Sequence, residues 1–251
     1  MLHTNTRIVA CGGVPLDAPH CRPVHKYIRE LTGKRKPRAL LIPTATYDNP
    51  EIYEKFRQTY GKALGCDAHV LYVLATTPSK RELRDAIEGA DLIWVSGGNT
   101  LKMMRRWRRL GVDRLLKTAH RSGTVLAGSS AGALCWFDYG HSDSMSFYHP
   151  EAWNYIRVRG LGLIPATGCP HVLAEDRMAH FQAMMWDRKG VGIAIDNDCA
   201  VAFVGDKYRV LTARRDAKAY RLYHADGSLV TRAIPASKEF QPVNQILRSA
   251  T

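Results

Sequence analysis

Two adjacent serines flanked by glycines, in TVLAGSSAGALCW (residues 124–136), are the residues whose types and spacing most directly suggest chemistry. Residues 128–132 fit the pattern G-x-S-x-G, a sharp strand-to-helix turn that exposes the central hydroxyl of a serine nucleophile. The turn brings the residues two positions before and after that serine against it, so both must be small, and both are glycine here. The pattern predicts Ser130 as a nucleophile and Ser129 as a packing or hydrogen-bonding residue. The alternative is a glycine-rich turn whose hydroxyls are satisfied locally.

A second glycine corner occurs upstream, in DLIWVSGGNT (residues 91–100), where an apolar strand pattern ends before a helical pattern. Glycine lets a backbone N–H approach a ligand closely, so the amides of Gly98 and Ala131 could together stabilise an oxyanion. Ligands of open α/β sheets bind beyond the carboxyl ends of the strands, which is where both corners lie. The alternative is an ordinary tight turn capped by Asn99 or Thr100.

A serine nucleophile needs a base to take its proton. His141 in DYGHSDSMS and His171 in TGCPHVLAEDR both follow the serine in polar stretches that read as loops. Spacing and composition do not choose between them.

The elements that must position these residues alternate along the chain, as expected for a parallel sheet covered by helices. A β-rich segment follows Gly190, with a hairpin turn at Asp226–Gly227, and Ser79 with Glu82 forms a capping-box pattern. The predicted strands are 7–11, 39–43, 69–74, 92–96 and 124–128, and the predicted helices are 23–31, 51–63, 79–88, 100–110 and 113–121.

Composition bounds the class of protein. The chain has 251 residues, 45% hydrophobic and 24% charged, which fits a globular protein, and we predict a single α/β domain over residues 1–251. No apolar run has the length of a membrane span and the amino terminus lacks a signal-peptide pattern, so we expect a cytoplasmic protein. The six cysteines are dispersed without C-x-x-C pairs and are expected to be reduced and mostly buried.

The stretches SGGNT, GSSAGALCWFDYGHSDS and GCPHVLAEDR, in that order, resemble the dipeptidase E (aspartyl dipeptidase) family of serine peptidases, which includes cyanophycinase-like enzymes. The resemblance covers roughly residues 90–205. It implies a flavodoxin-like, class I glutamine amidotransferase-like fold, here a three-layer α/β structure with a mostly parallel sheet and a β-rich C-terminal tail. It also implies cleavage of short peptides through an acyl-enzyme.

The resemblance implies Ser130 as nucleophile, His171 as base, and the amides of Gly98 and Ala131 as the oxyanion site. A carboxylate soon after the serine would orient the base. Asp143 in HSDS fits the family pattern better, and Asp138 is the reserve candidate.

Substrate preference in this family is attributed to an arginine shortly after the catalytic histidine, and Arg177 occupies such a position. An arginine can bind a carboxylate bidentately, which would favour peptides with an acidic first residue. Arg177 could equally be an ion-pair partner of Glu175 or Asp176. Asn99 is a second substrate-binding candidate. We expect a small peptide substrate, no cofactor or metal, no nucleic-acid or membrane partner, and a homodimer as one possible assembly.

Other classes of function have weaker support. The net charge of +13 and the segment KMMRRWRRLG raise the possibility of a nucleic-acid-binding protein. Its arginines fan around the helix, however, and Met103, Met104 and Trp107 form an apolar edge, which favours a solvated basic helix. Metal-hydrolase and nucleotide-binding motifs do not occur in the sequence, and Cys135 lies too far into the helix after the elbow to act as a nucleophile. A non-catalytic relative of the same fold stays an alternative.

Overall fold

The computed structural model of the 251-residue chain describes residues 5–174 and 176–248. Its strands are β1 (Arg7–Cys11), β2 (Arg38–Ile42), β3 (Asp67–Val70), β4 (Leu92–Val95), β5 (Val125–Ser129), β6 (Phe137–Ser142), β7 (Ile156–Arg159), β8 (Ile164–Pro170), β9 (Gly192–Ile195), β10 (Cys199–Val204), β11 (Lys207–Thr212), β12 (Ala219–Ala225), β13 (Ser228–Ile234) and β14 (Gln241–Pro242). Its α-helices are α1 (Arg22–Glu30), α2 (Pro50–Phe56), α3 (Lys80–Glu88), α4 (Thr100–Leu110), α5 (Val112–Arg121), α6 (Ala131–Leu134), α7 (Arg177–Trp186) and α8 (Asn244–Leu247).

An eight-stranded sheet in the order β14-β11-β10-β1-β5-β4-β2-β3 carries the serine turn. Strands β1, β5, β4, β2 and β3 are parallel to one another, while each of the pairs β1–β10, β10–β11 and β11–β14 is antiparallel. Successive β1 side chains enter opposite cores: Ile8 and Ala10 pack with α3, α4 and α5, whereas Val9 and Cys11 pack with α1 and α2. Helices therefore cover both faces of the sheet, and the predicted three-layer α/β class is confirmed.

A second sheet of six strands, in the order β13-β12-β9-β8-β6-β7, positions the two candidate histidines, His141 and His171. Within it β6, β8 and β9 are parallel and the other pairs are antiparallel. The predicted loop around His141 is therefore corrected to strand β6, and His171 directly follows β8. The C-terminal strands are divided between the two sheets, since β10 and β11 join the first and β12 and β13 join the second.

Local sequence signals place most of the helices. Ser79 and Glu82 form the predicted capping box at the start of α3, and Asp226–Gly227 form the predicted two-residue hairpin turn between β12 and β13, both with positive φ. The single helix predicted over 51–63 is α2 followed by a π-helix at Arg57–Ala63.

Strand β3 is shorter than the predicted 69–74, and a buried carboxylate explains why the chain leaves the sheet. Asp48 Oδ2 accepts hydrogen bonds from the backbone N–H groups of Val73, Leu74 and Ala75 at 2.5–2.9 Å. Those amides are therefore occupied by a side chain and cannot pair with a neighbouring strand.

All six cysteines are free and buried, as predicted. Within the described ranges, the helices are all too short or too polar to cross a membrane.

Candidate active site

Ser130 occupies a strained backbone conformation between β5 and α6, with φ 56° and ψ −117°. A Cβ added at Gly132 would lie 2.1 Å from Val95 O, and one at Gly128 would lie 2.4 Å from Gly132 O. Both contacts are far closer than real Cβ atoms approach backbone oxygens, so both positions require glycine. The chain thus forms the sharp turn that its G-x-S-x-G pattern predicts, with Ser130 at the tip.

The second glycine corner lies directly against this serine. A Cβ placed on Gly97 would be 3.2 Å from Ser130 Cβ, and Gly98 has φ 116°, a conformation that side chains rarely permit. Ser129 Oγ accepts a hydrogen bond from Val14 N at 3.0 Å, which is the local role predicted for it. The structure therefore brings Ser130 and the two predicted oxyanion residues, Gly98 and Ala131, to one corner of the sheet.

His171 and Asn197 follow two neighbouring parallel strands, because Pro170 at the end of β8 pairs with Ile195 at the end of β9. His171 Nδ1 is 2.5 Å from Asn197 Oδ1. The amide oxygen can only accept, so Nδ1 carries the proton and Nε2 is left with a lone pair for a substrate or a serine hydroxyl. Burial lowers the pKa of His171 below its ordinary value, the hydrogen bond to Asn197 opposing this shift.

Gly13 connects this pair to the serine corner. A Cβ on Gly13 would be 2.0 Å from Asn197 Oδ1 and 2.8 Å from His171 Nδ1, so the backbone of the segment after β1 lies against both side chains. Cys11 O in the same segment accepts a hydrogen bond from Ser130 N at 3.0 Å. Two residues of extended chain, about 7 Å, therefore separate the contact with Ser130 from the contact with His171.

The predicted contact between Asp143 and His171 is corrected by the structure, in which the ring nitrogen bonds Asn197 instead. Asp143 Oδ2 pairs with Arg177 Nη1 at 3.3 Å. The carboxylate is still close enough to raise the pKa of His171, as is Asp196.

The reserve candidate, Asp138, precedes Asp143 by five residues in and beyond β6, which corresponds to about 16 Å of extended chain. Burial raises the pKa of Asp138, and the positive charges of Arg157 and Arg159 in β7 oppose that increase. The structure therefore does not place Asp138 with the histidine.

Arg177 is 5% exposed, and besides Asp143 it donates from Nη2 to His141 O at 3.4 Å. Its guanidinium carbon also lies 4.9 Å from the centre of the Tyr155 ring. Among the described residues Arg177 forms an ion pair, as one sequence-based alternative proposed, but its partner is Asp143 rather than Asp176; Glu175 lies outside the described residues. A guanidinium engaged in this way is poorly placed to bind a substrate carboxylate.

Two other sequence candidates have structural roles. His141 is fully buried in β6 with its Nδ1 3.6 Å from the Cys169 sulfur, and burial lowers its pKa to about 3. Asn99 is also fully buried; its Oδ1 accepts from Lys102 N at 2.9 Å and its Nδ2 donates to Tyr47 Oη at 3.3 Å. The prediction of Asn99 as a substrate-binding residue is therefore corrected to the alternative, a cap at the start of α4.

A cavity of about 380 Å³ opens on the histidine side of the serine turn. It is lined by Gly13, Val14, Pro15, His20, Ser129, His171, Asn197, Asp198 and Arg214. Asn197 was missed by the sequence analysis, although its position just after a buried strand is the same signal that marked the glycine corners. Arg214 lies in a loop after β11 and has no such signal.

The basic helix that suggested nucleic-acid binding is anchored in the fold. Met103, Met104 and Trp107 of α4 are fully buried, as their spacing predicts. Arg106 Nε donates to Val73 O at 2.6 Å and Arg108 Nη2 donates to Arg159 O at 2.6 Å. Two of its four arginines thus bind neighbouring backbone, one in the loop after β3 and one at the end of β7.

The fold and the serine turn together define a three-layer α/β protein with the strand-to-helix elbow of hydrolytic enzymes. The model of peptidase family S51 matches residues 8–211. The chain therefore belongs to peptidase family S51, the dipeptidase E family, and is a peptidase.

Relatives and solved structures agree with that membership. The chain is 30% identical over 233 residues to the uncharacterized peptidase YgaJ of Bacillus subtilis, covering 91% of this chain and 97% of the relative. It is similar in structure to a peptidase from an acI-B1 Actinobacterium, with a TM-score of 0.73 and 20% identity, over 96% of this chain and 98% of that one. A Listeria monocytogenes EGD-e protein of the peptidase E type gives a TM-score of 0.63 at 19% identity, over 82% and 98% of the two chains. These last two likenesses concern the fold.

Proposed function

We propose that the protein is a serine peptidase that hydrolyses short peptides through an acyl-enzyme formed on Ser130. The observation that carries this proposal is the strained backbone of Ser130 between two obligatory glycines. A non-glycine residue at positive φ costs free energy, which the surrounding structure must supply, and such strain is concentrated at functional sites. A glycine-rich turn without chemistry would not need serine there.

In the proposed reaction Ser130 Oγ attacks the peptide carbonyl carbon while its proton moves to His171 Nε2. The amides of Gly98 and Ala131 donate to the oxyanion. The carbon–nitrogen bond then breaks, and the proton on Nε2 goes to the leaving amine. Water, deprotonated by the same nitrogen, attacks the ester carbon; the bond from that carbon to Ser130 Oγ then breaks, Nε2 returns the proton to Oγ, and the product acid leaves.

Asn197 has the role of the orienting third residue in this proposal. Its Oδ1 accepts from Nδ1 and so fixes the tautomer in which Nε2 is the base. An amide can hold the ring without adding charge, and the lowered pKa of His171 keeps the ring neutral and able to accept a proton. Asp143 contributes through its charge rather than through a hydrogen bond to the ring.

The resemblance also implies a preference for an acidic first residue. Such a preference would need a cation other than Arg177, because that guanidinium is buried and paired with Asp143. The free thiols at all six cysteines are consistent with a cytoplasmic location, which we include in the proposal.

A fluorophosphonate probe, which reacts with activated serines, tests the proposal. We expect labelling of the native protein and of Ser129→Ala, and loss of labelling in Ser130→Ala. Ser129 is the matched control because it is adjacent and also carries a hydroxyl. Absence of labelling in the native protein, or labelling that survives in Ser130→Ala, would instead support the non-catalytic relative.

A further inference from the structure

A cluster of polar side chains lies on the wall of the cavity shared with His171, outside the proposed catalytic residues. Its centre is Asp198, whose Oδ1 is 2.8 Å from His20 Nε2 and 3.3 Å from the Cys21 sulfur. Asp198 Oδ2 lies 3.1 Å from Arg214 Nε. Both carboxylate oxygens are thus engaged, and the free hydrogen-bonding capacity of the cluster belongs to the arginine.

The backbone holds Asp198 firmly. The residue has φ 59°, its N–H donates to Gly13 O at 2.8 Å, and its carbonyl accepts from Ala213 N at 2.7 Å. The same segment that contacts His171 therefore positions Asp198. Through Asp198 it also positions Arg214, which follows Ala213 directly.

Arg214 is suited to bind an anion in the cavity. It is paired through Nε only, and its two terminal nitrogens donate to no protein group among residues 5–174 and 176–248. The side chain is 62% exposed and lines the same cavity as Ser129 and His171. The two terminal nitrogens of a guanidinium match the two oxygens of a carboxylate.

A metal ion is the competing occupant of this cluster, since ligand atoms of His20, Cys21 and Asp198 lie within 4.8 Å of one another. The Cys21 thiol donates to Asp198 Oδ1 at 3.3 Å, whereas metals bind the thiolate. The adjacent guanidinium also opposes a second cation, and the cluster is therefore better suited to an anion.

The direction of proton transfer says which part of a peptide enters this cavity. If His171 returns a proton to the leaving amine, the amino acid released first lies on the histidine side of Ser130. We infer that Arg214 is a specificity-determining residue that binds the α-carboxylate of this leaving amino acid. Asp198 and His20 act as positioning residues that hold the guanidinium. The inference rests on the proposed function and deepens it, because a cation at this place favours peptides with one residue after the cleaved bond.

Pairs of substrates that differ only at the carboxyl terminus test the inference: dipeptides with a free carboxylate and the same dipeptides as C-terminal amides. We expect the native enzyme to prefer the free acid by about tenfold in kcat/KM, the low end for a charged hydrogen bond because Arg214 is solvent-exposed. Arg214→Gln should reduce this preference to about one, mainly by raising KM for the free acid. Arg215→Gln, an exposed neighbour, is the matched control and should retain the preference.

Asp198→Asn tests the positioning role, and it should lower the acid-over-amide preference, mainly by raising KM for the free acid. The same variants are labelled with the fluorophosphonate, which carries no carboxylate. The inference is overturned if the acid-over-amide preference persists in Arg214→Gln or is absent from the native enzyme. Unchanged labelling of Arg214→Gln would then leave the proposed function intact. Loss of labelling in the native protein overturns the proposed function itself. Inhibition by Zn²⁺ alone that disappears in Cys21→Ser would overturn the inference in favour of a metal site.

Discussion

In Asn197→Asp a carboxylate replaces the amide that accepts the hydrogen bond from His171 Nδ1. The change has a directly measurable consequence. The carboxylate still accepts from Nδ1, so the ring orientation is kept, but a negative charge is now adjacent to the imidazole. That charge stabilises the protonated ring and raises the pKa of His171. The base must be neutral to accept the serine proton, so activity is lost as pH falls through this pKa.

The size of the shift follows from the geometry. The two contacting atoms are 2.5 Å apart, so the charge centres of the carboxylate and the protonated ring would be about 4 Å apart. Their Coulomb energy at that distance is about 1 kcal/mol in water and about 4 kcal/mol near a protein surface. At about 1.4 kcal/mol per pKa unit, this corresponds to about one to three units. Asn197 is exposed to solvent, so we expect the lower value, about one unit.

The assay is the pH profile of kcat/KM. The native enzyme should keep its activity below the ordinary histidine pKa, because burial lowers the pKa of His171. The acid limb of Asn197→Asp should lie about one unit higher. Asn244→Asp, an exposed residue of α8 beyond the edge strand β14, is the matched control and should leave the limb in place. An unmoved acid limb in Asn197→Asp would refute the assignment of His171 and Asn197 as base and orienting residue.

Two further perturbations test the packing of the site. Gly132→Ala should lower the free energy of unfolding by about 1–3 kcal/mol in a thermal or denaturant melt, because the new Cβ would be 2.1 Å from Val95 O. Gly61→Ala, whose nearest contact would be 3.4 Å, is the matched control. Equal stability of the two variants would contradict the elbow geometry. Arg177→Ala should destabilise by about 2 kcal/mol, below the usual cost of breaking a buried pair because Asp143 is 32% exposed. A variant of unchanged stability that loses a preference for acidic first residues would instead restore Arg177 as the carboxylate-binding residue.

The serine corner and the first sheet could be predicted from sequence because their signals are local. Strand β4, with the sequence LIWV, is buried on both faces. The glycines around Ser130 form a five-residue pattern that can be read in the sequence, although the backbone oxygen that requires Gly132 belongs to Val95 of β4. The strands of the second sheet contain histidine, glycine, proline and serine, so β6 and β8 resemble loops in composition. Their strand structure comes from pairing with each other across the sheet.

The partners of the site residues depend on contacts between distant parts of the chain. Asn197 meets His171 only because β8 and β9 are adjacent and parallel. Asp143 is a plausible partner of the histidine by spacing, but the burial of Arg177 gives its carboxylate a stronger partner. Sequence therefore pointed to Ser130 and His171, whereas the contact between His171 and Asn197 is visible only in the structure.

Acylation of Ser130 during peptide cleavage is tested most directly by mass spectrometry of the acid-quenched enzyme. Mixed with a peptide that it cleaves and quenched early, the native protein should gain the mass of the N-terminal product acid less one water on the fragment that contains Ser130. His171→Ala should show no accumulation of this adduct within the same time. Turnover without any adduct, combined with cleavage that persists in Ser130→Ala, would contradict the account.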